Sequence, residues 1–311
     1  MAPLPEDFVF SGGTGRSGTT IVGKLLGRHS SIRASKPLEI KFLAGNGGLL
    51  DLTYGRRDFI EMKKRNSFAY RFLSHSKTFT RMELERKFRE RLLNDWWNRE
   101  SIAGKGPGLS TGVTIEVRDS ALDEFMKTRK KNSEEAARRF FEAMVSEQFN
   151  NEGEPIWIDT SPPNIFNADR IVRLLPGAKF IHMMRDGRNT IASVLKEHWG
   201  PQDPLQAIHW WKNRIISSHR ALGKVPRESV IEIQLEELAH FNRESEYKRL
   251  LGFLGLEDEP KIRKYFESEV DGERVIAQKW REEIKEPKFE AKFRKVHKEL
   301  HDLGIRTALY E

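Results

Sequence analysis

Cysteine is absent from the 311 residues, which excludes disulfide bonds, thiolate catalysis and zinc or iron–sulfur sites built on cysteine. Long apolar runs are also absent, since none approaches the roughly 20 residues of a membrane span. The first residues, Met-Ala-Pro-Leu-Pro-Glu-Asp, lack the basic and apolar segments of a signal peptide. We therefore expect a cytoplasmic, soluble protein with no integral membrane segment.

Acidic residues are outnumbered, with 46 Asp and Glu against 54 Lys and Arg, so the net charge is +8. This balance suits an anionic ligand without identifying one. The basic runs at 63–65 and 127–131 lie on charged, helix-like segments, where such charges usually face solvent. No basic strand with interleaved aromatic residues is present to stack bases. We therefore predict no nucleic-acid partner, and the absence of an obvious acidic cluster predicts no bound metal.

Short apolar runs alternate with helix-like segments and predict the fold. Strands are expected near 8–10, 30–34, 155–159, 178–184 and 229–234. The alternation predicts an α/β fold with a P-loop-type parallel sheet flanked by helices, whose ligands gather at the carboxyl ends of the strands. Residues 58–150 form a long, charged helical insertion, within a single domain that spans 1–311.

Two apolar stripes at helical spacing predict buried helix faces. The first stripe is Met82, Leu84, Phe88, Leu92, Leu93, Trp96 and Trp97, and the second is Phe289, Phe293, Val296, Leu300 and Leu303. The second is expected to dock on the body of the protein, because a dimerising coiled coil would need more heptads. The sequence leaves a homodimer open.

The most informative segment follows the first strand. Residues 13–20 fit the phosphate-loop pattern G-x-x-x-x-G-K-[ST] except that Thr19 stands in place of the lysine. That lysine reaches the β- and γ-phosphates of a nucleoside triphosphate. Its absence favours an anionic nucleotide without a γ-phosphate, and Arg16 can fork onto a terminal sulfate or phosphate. The predicted binding residues are Gly15, Arg16, Ser17, Gly18, Thr19 and Thr20.

A second anion site is predicted at the end of the 178–184 strand. Arg185 follows this strand and Ser193 lies eight positions later on the next helix. An arginine and a hydroxyl placed in this way can hold one phosphate at the ligand-binding edge of the sheet.

Together these segments resemble the sulfotransferases that use 3′-phosphoadenosine 5′-phosphosulfate (PAPS). Residues 15–20 are most similar to the branch with arginine in the loop, which includes tyrosylprotein sulfotransferases and many bacterial enzymes. Further similar segments are Trp157-Ile-Asp-Thr-Ser-Pro162, the strand at 230–238 and the late Gln278-Lys-Trp280. The resemblance covers residues 7–45 and 155–285.

The resemblance implies that the loop holds the 5′-phosphosulfate, that Arg185 and Ser193 hold the 3′-phosphate, and that Lys279 closes over the nucleotide. The implied reaction moves a sulfuryl group from PAPS to a hydroxyl, or less readily an amine, and releases 3′-phosphoadenosine 5′-phosphate (PAP). Arg16 would stabilise the leaving phosphate. Glu39, in Glu39-Ile-Lys41, resembles the glutamate base of the tyrosylprotein branch, and His198 is the alternative base because the cytosolic branch uses a histidine. His182 lies within a strand and is expected to be a core residue.

Two positions depart from the family pattern. Thr160 stands where the family commonly has a lysine that steadies the transferring sulfate. Arg16, Lys41 and Lys279 are the candidates to supply that charge. Gln234 also replaces a tyrosine near the adenine side.

Two other functions stay open: a P-loop kinase or nucleotide hydrolase with a degenerate Walker motif, and a catalytically silent PAPS-binding protein. The expected acceptor is a bacterial-type small molecule, lipid or glycan hydroxyl. A secreted tyrosine substrate is not expected, because the chain lacks the cysteines and the targeting segment of a secretory compartment.

Overall fold

The computed structural model describes residues 7–56, 77–98, 108–148 and 155–310. Of these, residues 7–34 and 155–310 form one compact unit, which we call the sheet unit. The described residues between 35 and 148 form a second, which we call the helical unit. The helical unit begins before residue 58, where the insertion was predicted to start. The prediction of a single domain with one insertion stays a prediction.

The sheet unit contains five parallel strands in the order β2-β3-β1-β4-β5. The strands are β1 (Asp7–Gly13), β2 (Ile32–Ala34), β3 (Ile156–Asp159), β4 (Lys179–Met184) and β5 (Val230–Gln234). The central strand β1 pairs with β3 on one side and with β4 on the other, where Gly13 is opposite Met183. The predicted α/β fold with a parallel sheet is therefore confirmed.

The helices are numbered along the chain. They are α1 (Thr19–Leu26), α2 (Leu49–Tyr54), α3 (Lys77–Glu90), α4 (Ile115–Thr128), α5 (Ser133–Ser146), α6 (Ala168–Leu174), α7 (Gly187–Val194), α8 (Pro204–Leu222), α9 (Arg243–Leu254), α10 (Pro260–Glu269), α11 (Gly272–Ile276), α12 (Trp280–Glu283) and α13 (Phe289–Asp302). Helices α2–α5 belong to the helical unit. Within the described residues, no helix combines the length and the apolarity that a membrane crossing requires.

Two apolar clusters hold the sheet unit together. One joins strand residues such as Val9 and Ile181 to α1, α9 and α10. The other joins α7 and α8 to α12 and α13, with Trp211 and Phe293 in contact at 5.0 Å between ring centres. Helix α13 buries Phe289, Phe293, Val296 and Leu300, as the stripe predicted, while Leu303 is exposed. The second stripe is therefore a helix docked within the sheet unit.

The first stripe is only partly buried. Leu84, Phe88, Leu92, Trp96 and Trp97 are buried in the helical unit. Met82 and Leu93, however, are 65% and 37% exposed, so their assignment to the buried face was wrong. A π-helical turn at Arg91–Asp95 explains Leu93, because the wider turn adds a residue and rotates the positions that follow. The stripe therefore breaks where the helix changes its period.

The basic run at 127–131 does not form one continuous charged face. Lys127, Lys130 and Lys131 are exposed, whereas Arg129 is buried and pairs with Glu85 at 2.5 Å. The lysines are thus solvated, and the arginine stabilises the packing of α4 against α3. The run at 63–65 lies outside the described residues.

Helix α1 lies close to the turn after β3. A Cβ atom added at Gly23 would lie 2.4 Å from the Cγ2 methyl of Thr160, which is fully buried. The helix reaches this position only because Gly23 has no side chain. Thr160, the residue that departs from the family lysine, is therefore packed directly beneath the first helix.

We predict that Gly23→Ala destabilises the protein by about 1–3 kcal/mol, because the new methyl overpacks against Thr160. In a Thr160→Ser background the same change should stabilise the protein by up to about 1 kcal/mol, since the methyl is gone and alanine favours the helix over glycine. Urea unfolding of the four proteins measures this change of sign. An equal effect of Gly23→Ala in both backgrounds would show that the contact is unimportant.

Candidate functional site

The loop between β1 and α1 has a conformation that few sequences can adopt. Gly15 and Gly18 have φ angles of 88° and 98°, and Arg16 between them has φ 59°, a left-handed conformation that is strained for a residue with a side chain. Loops with left-handed residues of this kind can turn successive backbone N–H groups toward one side and form anion-binding concavities. The loop ends at the N-terminus of α1, which adds the positive end of a helix dipole.

Gly13 is required by its surroundings. A Cβ atom there would lie 2.3 Å from Ser17 Oγ and 2.4 Å from the Met183 carbonyl oxygen of the neighbouring strand. The hydroxyl of Ser17 is buried and has no hydrogen-bond partner among the described residues. A buried polar group without a partner is costly, so this hydroxyl is one of the groups that a bound anion would satisfy.

The structure brings the two predicted anion sites into direct contact. Arg16 Nε donates to Ser193 Oγ at 2.8 Å, and its Nη1 lies 3.4 Å from Glu197. Arg185 donates from Nη1 to the carbonyl oxygen of Arg16 at 3.2 Å. The loop arginine, the strand-end arginine and the helix hydroxyl thus form one cluster at the carboxyl edge of the sheet.

Arg185 is partly withdrawn from water. Burial lowers its pKa below the ordinary arginine value, the negative charge of Glu236 opposes this change, and the nearby Arg16 adds to it. Its Nε has no hydrogen-bond partner among the described residues. A guanidinium keeps its charge even under such a shift, so Arg185 presents a positive charge and an unused donor.

The second arginine of the same turn has a different role. Arg188 is fully buried, pairs with Asp186 at 2.7 Å and lies 4.8 Å from the ring centre of Trp280. Asp186 also accepts from the backbone N–H of Tyr310 at 3.1 Å, and Arg188 donates to the Tyr310 carbonyl. Arg188 therefore fixes α7 against the end of the chain and is not available to a ligand.

A buried carboxyl group supports this turn from the segment that follows β5. Glu236 is 1% exposed and accepts from the backbone N–H of Asp186 at 2.9 Å and from Gln234 Nε2 at 2.5 Å. Burial raises the pKa of Glu236, against the opposing effects of these hydrogen bonds and of Arg185. Gln234, which replaces a family tyrosine, thus orients a carboxylate that faces the strand-end arginine.

One further arginine reaches the loop from α8. Arg214 donates from Nη1 to the Thr14 carbonyl oxygen at 3.1 Å, and its guanidinium carbon lies 4.3 Å from the ring centre of Trp210 and 5.1 Å from that of Phe166. This residue was not predicted from the sequence. The only signal was its position one helical turn after Trp210, which does not indicate contact with the loop.

An exposed aromatic surface flanks the loop. Trp199 is 47% exposed, and its Cη2 lies 3.4 Å from the position of a Cβ atom at Gly15. It packs against Trp210 with 6.2 Å between ring centres. This surface was also not predicted, because residues 199–203 carry no regular pattern.

The other predicted residues each have their own surroundings. Lys279 is exposed at the start of α12, a helix that packs against α7. Glu39 belongs to the helical unit, where its carboxylate lies 3.6 Å from Lys41 Nζ. His198 is exposed, and His182 is buried with Nδ1 3.3 Å from Glu232. The roles assigned to these residues stay predictions.

Comparison with known proteins decides the family. A model described as the sulfotransferase family matches residues 8–260. The chain belongs to the sulfotransferase family. The match spans β1, the loop that contains Arg16, the turn that contains Arg185, and β5. It does not favour the kinase interpretation.

Solved structures show the same fold at low sequence identity. The sulfotransferase domain of the Synechococcus PCC 7002 olefin synthase is 17% identical, with 96% of this chain and 95% of that domain covered and a TM-score of 0.52. The sulfotransferase domain from the curacin biosynthetic pathway is 13% identical, with 99% and 100% covered and a TM-score of 0.51. A search of curated proteins gave no match.

The raised pKa of Glu236 predicts a pH-dependent effect of Glu236→Gln on this sulfotransferase. The folded protein holds the proton of Glu236 at pH values where the unfolded chain has released it, so its stability falls as pH rises above the ordinary glutamate range. The variant does not ionise at this position. We therefore expect its unfolding free energy, relative to the parent protein, to increase from pH 4 to pH 7.

Urea unfolding at several pH values measures this difference. Glu228→Gln is the matched control, because it replaces an exposed glutamate near β5. If the unfolding free energies of the two variants, relative to the parent protein, changed with pH in the same way, burial would not disfavour the ionised form of Glu236.

Proposed function

We propose that this sulfotransferase transfers the sulfuryl group of PAPS to a hydroxyl, or less readily an amine, of a small-molecule, lipid or glycan acceptor. The observation that carries the proposal is the 2.8 Å hydrogen bond from Arg16 to Ser193. It joins a phosphate loop without the Walker lysine to the Arg185 and Ser193 pair. A nucleotide with phosphate at both its 5′ and 3′ positions matches two anion-binding elements at one sheet edge.

The unpartnered donors support such an anion. Ser17 Oγ and the Nε atoms of Arg185 and Arg214 are buried without hydrogen-bond partners among the described residues. All three lie on or next to the loop, and all three can donate. The N–H groups of the loop and of the first turn of α1, with Thr19 and Thr20, would hold the 5′-phosphosulfate, and Arg185 and Ser193 would hold the 3′-phosphate.

In the proposed reaction the acceptor oxygen attacks sulfur while the bond from sulfur to the bridging phosphate oxygen breaks. The electron pair of that bond goes to the 5′-phosphate of PAP, where Arg16 and the loop N–H groups stabilise the charge. Positioning and positive charge supply most of the catalysis in such transfers. The proton of the acceptor goes to the carboxylate of Glu39, the proposed general base, with His198 as the alternative.

Other elements of the proposal come from the sequence and from the surroundings of the loop. Lys279 would contribute to nucleotide binding from the start of α12. The exposed Trp199 would give the acceptor an apolar surface beside Gly15. We place the enzyme in the cytoplasm and leave open whether it is a homodimer.

Ligand-dependent thermal stability tests the nucleotide. PAP without metal should raise the melting temperature, because a ligand that binds only the folded state stabilises it by about 2.7 kcal/mol at 100 times its Kd. Arg185→Gln and Ser193→Ala should each reduce this shift. Arg220→Gln removes an exposed charge from α8 and should leave the shift unchanged.

ATP with magnesium is the opposing probe. If ATP–magnesium stabilised the protein and PAP did not, the proposal of a PAPS-dependent enzyme would be wrong. If PAP raised the melting temperature of the Arg185 and Ser193 variants as much as that of the parent protein, the proposed 3′-phosphate site would be wrong. The proposal of a PAPS-dependent enzyme would still stand.

The base is tested separately by Glu39→Gln. This variant should bind PAP normally but transfer sulfate about 10²–10⁴-fold more slowly, because no carboxylate accepts the proton of the acceptor. Incubation of each protein with PAPS and a cell extract, followed by mass spectrometry, would show acceptors that gain one SO₃ group. Glu116→Gln changes an exposed glutamate of the helical unit and is the control. Full transfer by Glu39→Gln would exclude Glu39 as the base.

A further inference from the structure

Arg214 carries a positive charge whose surroundings do not balance it. Burial lowers its pKa to about 10, and no carboxylate of the described residues opposes that effect. The Nε atom is buried and has no hydrogen-bond partner in the part of the chain that the structure describes. At neutral pH the guanidinium is nevertheless protonated, so the folded protein holds an uncompensated cation beside the loop.

The neighbours of Arg214 provide only partial compensation. The faces of Trp210 and Phe166 attract a cation, at 4.3 and 5.1 Å from the guanidinium carbon. The Thr14 carbonyl oxygen, at 3.1 Å, accepts one hydrogen bond. Neither the rings nor the carbonyl group carries a net negative charge. Removing an ion from water without a counterion is unfavourable, and a bound anion would offset this cost.

Other cations of the same helix show that this arrangement is specific. Lys212 pairs with Glu299 at 2.6 Å, and Arg220 is exposed to solvent. Arg214 alone among these three points to the loop, at Thr14, two residues before Arg16. Phe166 lies in the turn that follows Thr160, so the guanidinium is held between the loop and the end of β3.

We propose that Arg214 is a third cationic residue of the donor site, which holds the first half of the loop through Thr14 and supplies positive charge that Thr160 cannot. This inference rests on the proposed function. The sequence offered Arg16, Lys41 and Lys279 as candidates for this charge, and Arg214 was not among them. As a positioning residue, Arg214 acts on the bound anion through the loop and through its electrostatic field.

The test compares Arg214→Met, Arg214→Lys and the control Arg220→Met. Calorimetric titration with PAP should show a Kd raised about tenfold or more in Arg214→Met, the loss expected for a charge-assisted interaction. Arg214→Lys should recover part of the affinity because it keeps the charge. Arg220→Met should bind as the parent protein does.

The melting temperature without ligand separates this role from a purely structural one. Arg214→Met should melt at the same temperature as the parent protein or higher, since replacing a buried charge with an apolar side chain is often neutral or stabilising. A lower melting temperature together with unchanged PAP affinity would overturn the proposal. Equal PAP affinities of Arg214→Met and Arg220→Met would also overturn it.

Inorganic pyrophosphate separates this inference from the identity of the nucleotide. If the parent protein binds pyrophosphate but not PAP, the proposed function fails, and Arg214→Met should still weaken pyrophosphate binding. If Arg214→Met binds pyrophosphate as tightly as the parent protein, the role of Arg214 fails independently. If the parent protein binds neither anion, both proposals are wrong.

Discussion

The parallel pairing of β1 with β4 is the constraint on which the candidate site depends. Gly13 is opposite Met183, so the two strands end side by side and their following segments leave the sheet at the same edge. The contact of Arg185 with the Arg16 carbonyl and the contact of Arg16 with Ser193 both follow from this register. A shift of one residue would move the side chains of one strand to the opposite face of the sheet.

The same edge concentrates charge that the protein only partly neutralises. Glu197 lies near Arg16, and Glu236 opposes the effect of burial on Arg185. Arg214 has rings and a carbonyl oxygen as neighbours instead of a carboxylate. Deeper in the fold, Arg188 has a full ion pair with Asp186. The arginines thus differ in their neighbours: Arg188 has a full ion pair, whereas the buried Nε atoms of Arg185 and Arg214 have no hydrogen-bond partner among the described residues.

Local patterns in the sequence were sufficient to predict the main elements of the fold. The five strands, the loop and the docked helix α13 depend on residues that are close in sequence, and each was predicted from spacing alone. The loop could be interpreted as a site because its glycines, hydroxyls and following helix occur in order. Arg185 and Ser193 could be paired with it because parallel strands share a ligand-binding edge.

The rest depended on contacts that spacing does not specify. Arg214 meets Thr14 across 200 residues, and only the three-dimensional packing of α8 shows this. The exposure of Leu93 follows from a π-helical turn, which hydrophobic spacing does not indicate. Arg185 was predicted as a site residue because it follows the strand, but only the structure shows that Arg188, three positions later, is fully buried and paired with Asp186. Glu39 was placed by resemblance, and its role is a matter for experiment.

The hydrogen bond from Arg16 to Ser193 also has a direction. Because Arg16 Nε is the donor, the Ser193 oxygen is used as an acceptor, and the hydroxyl proton is directed to another group. A hydroxyl that already accepts from a cation is polarised and becomes a stronger donor. In the proposed 3′-phosphate site this proton would be donated to a phosphate oxygen, which can only accept.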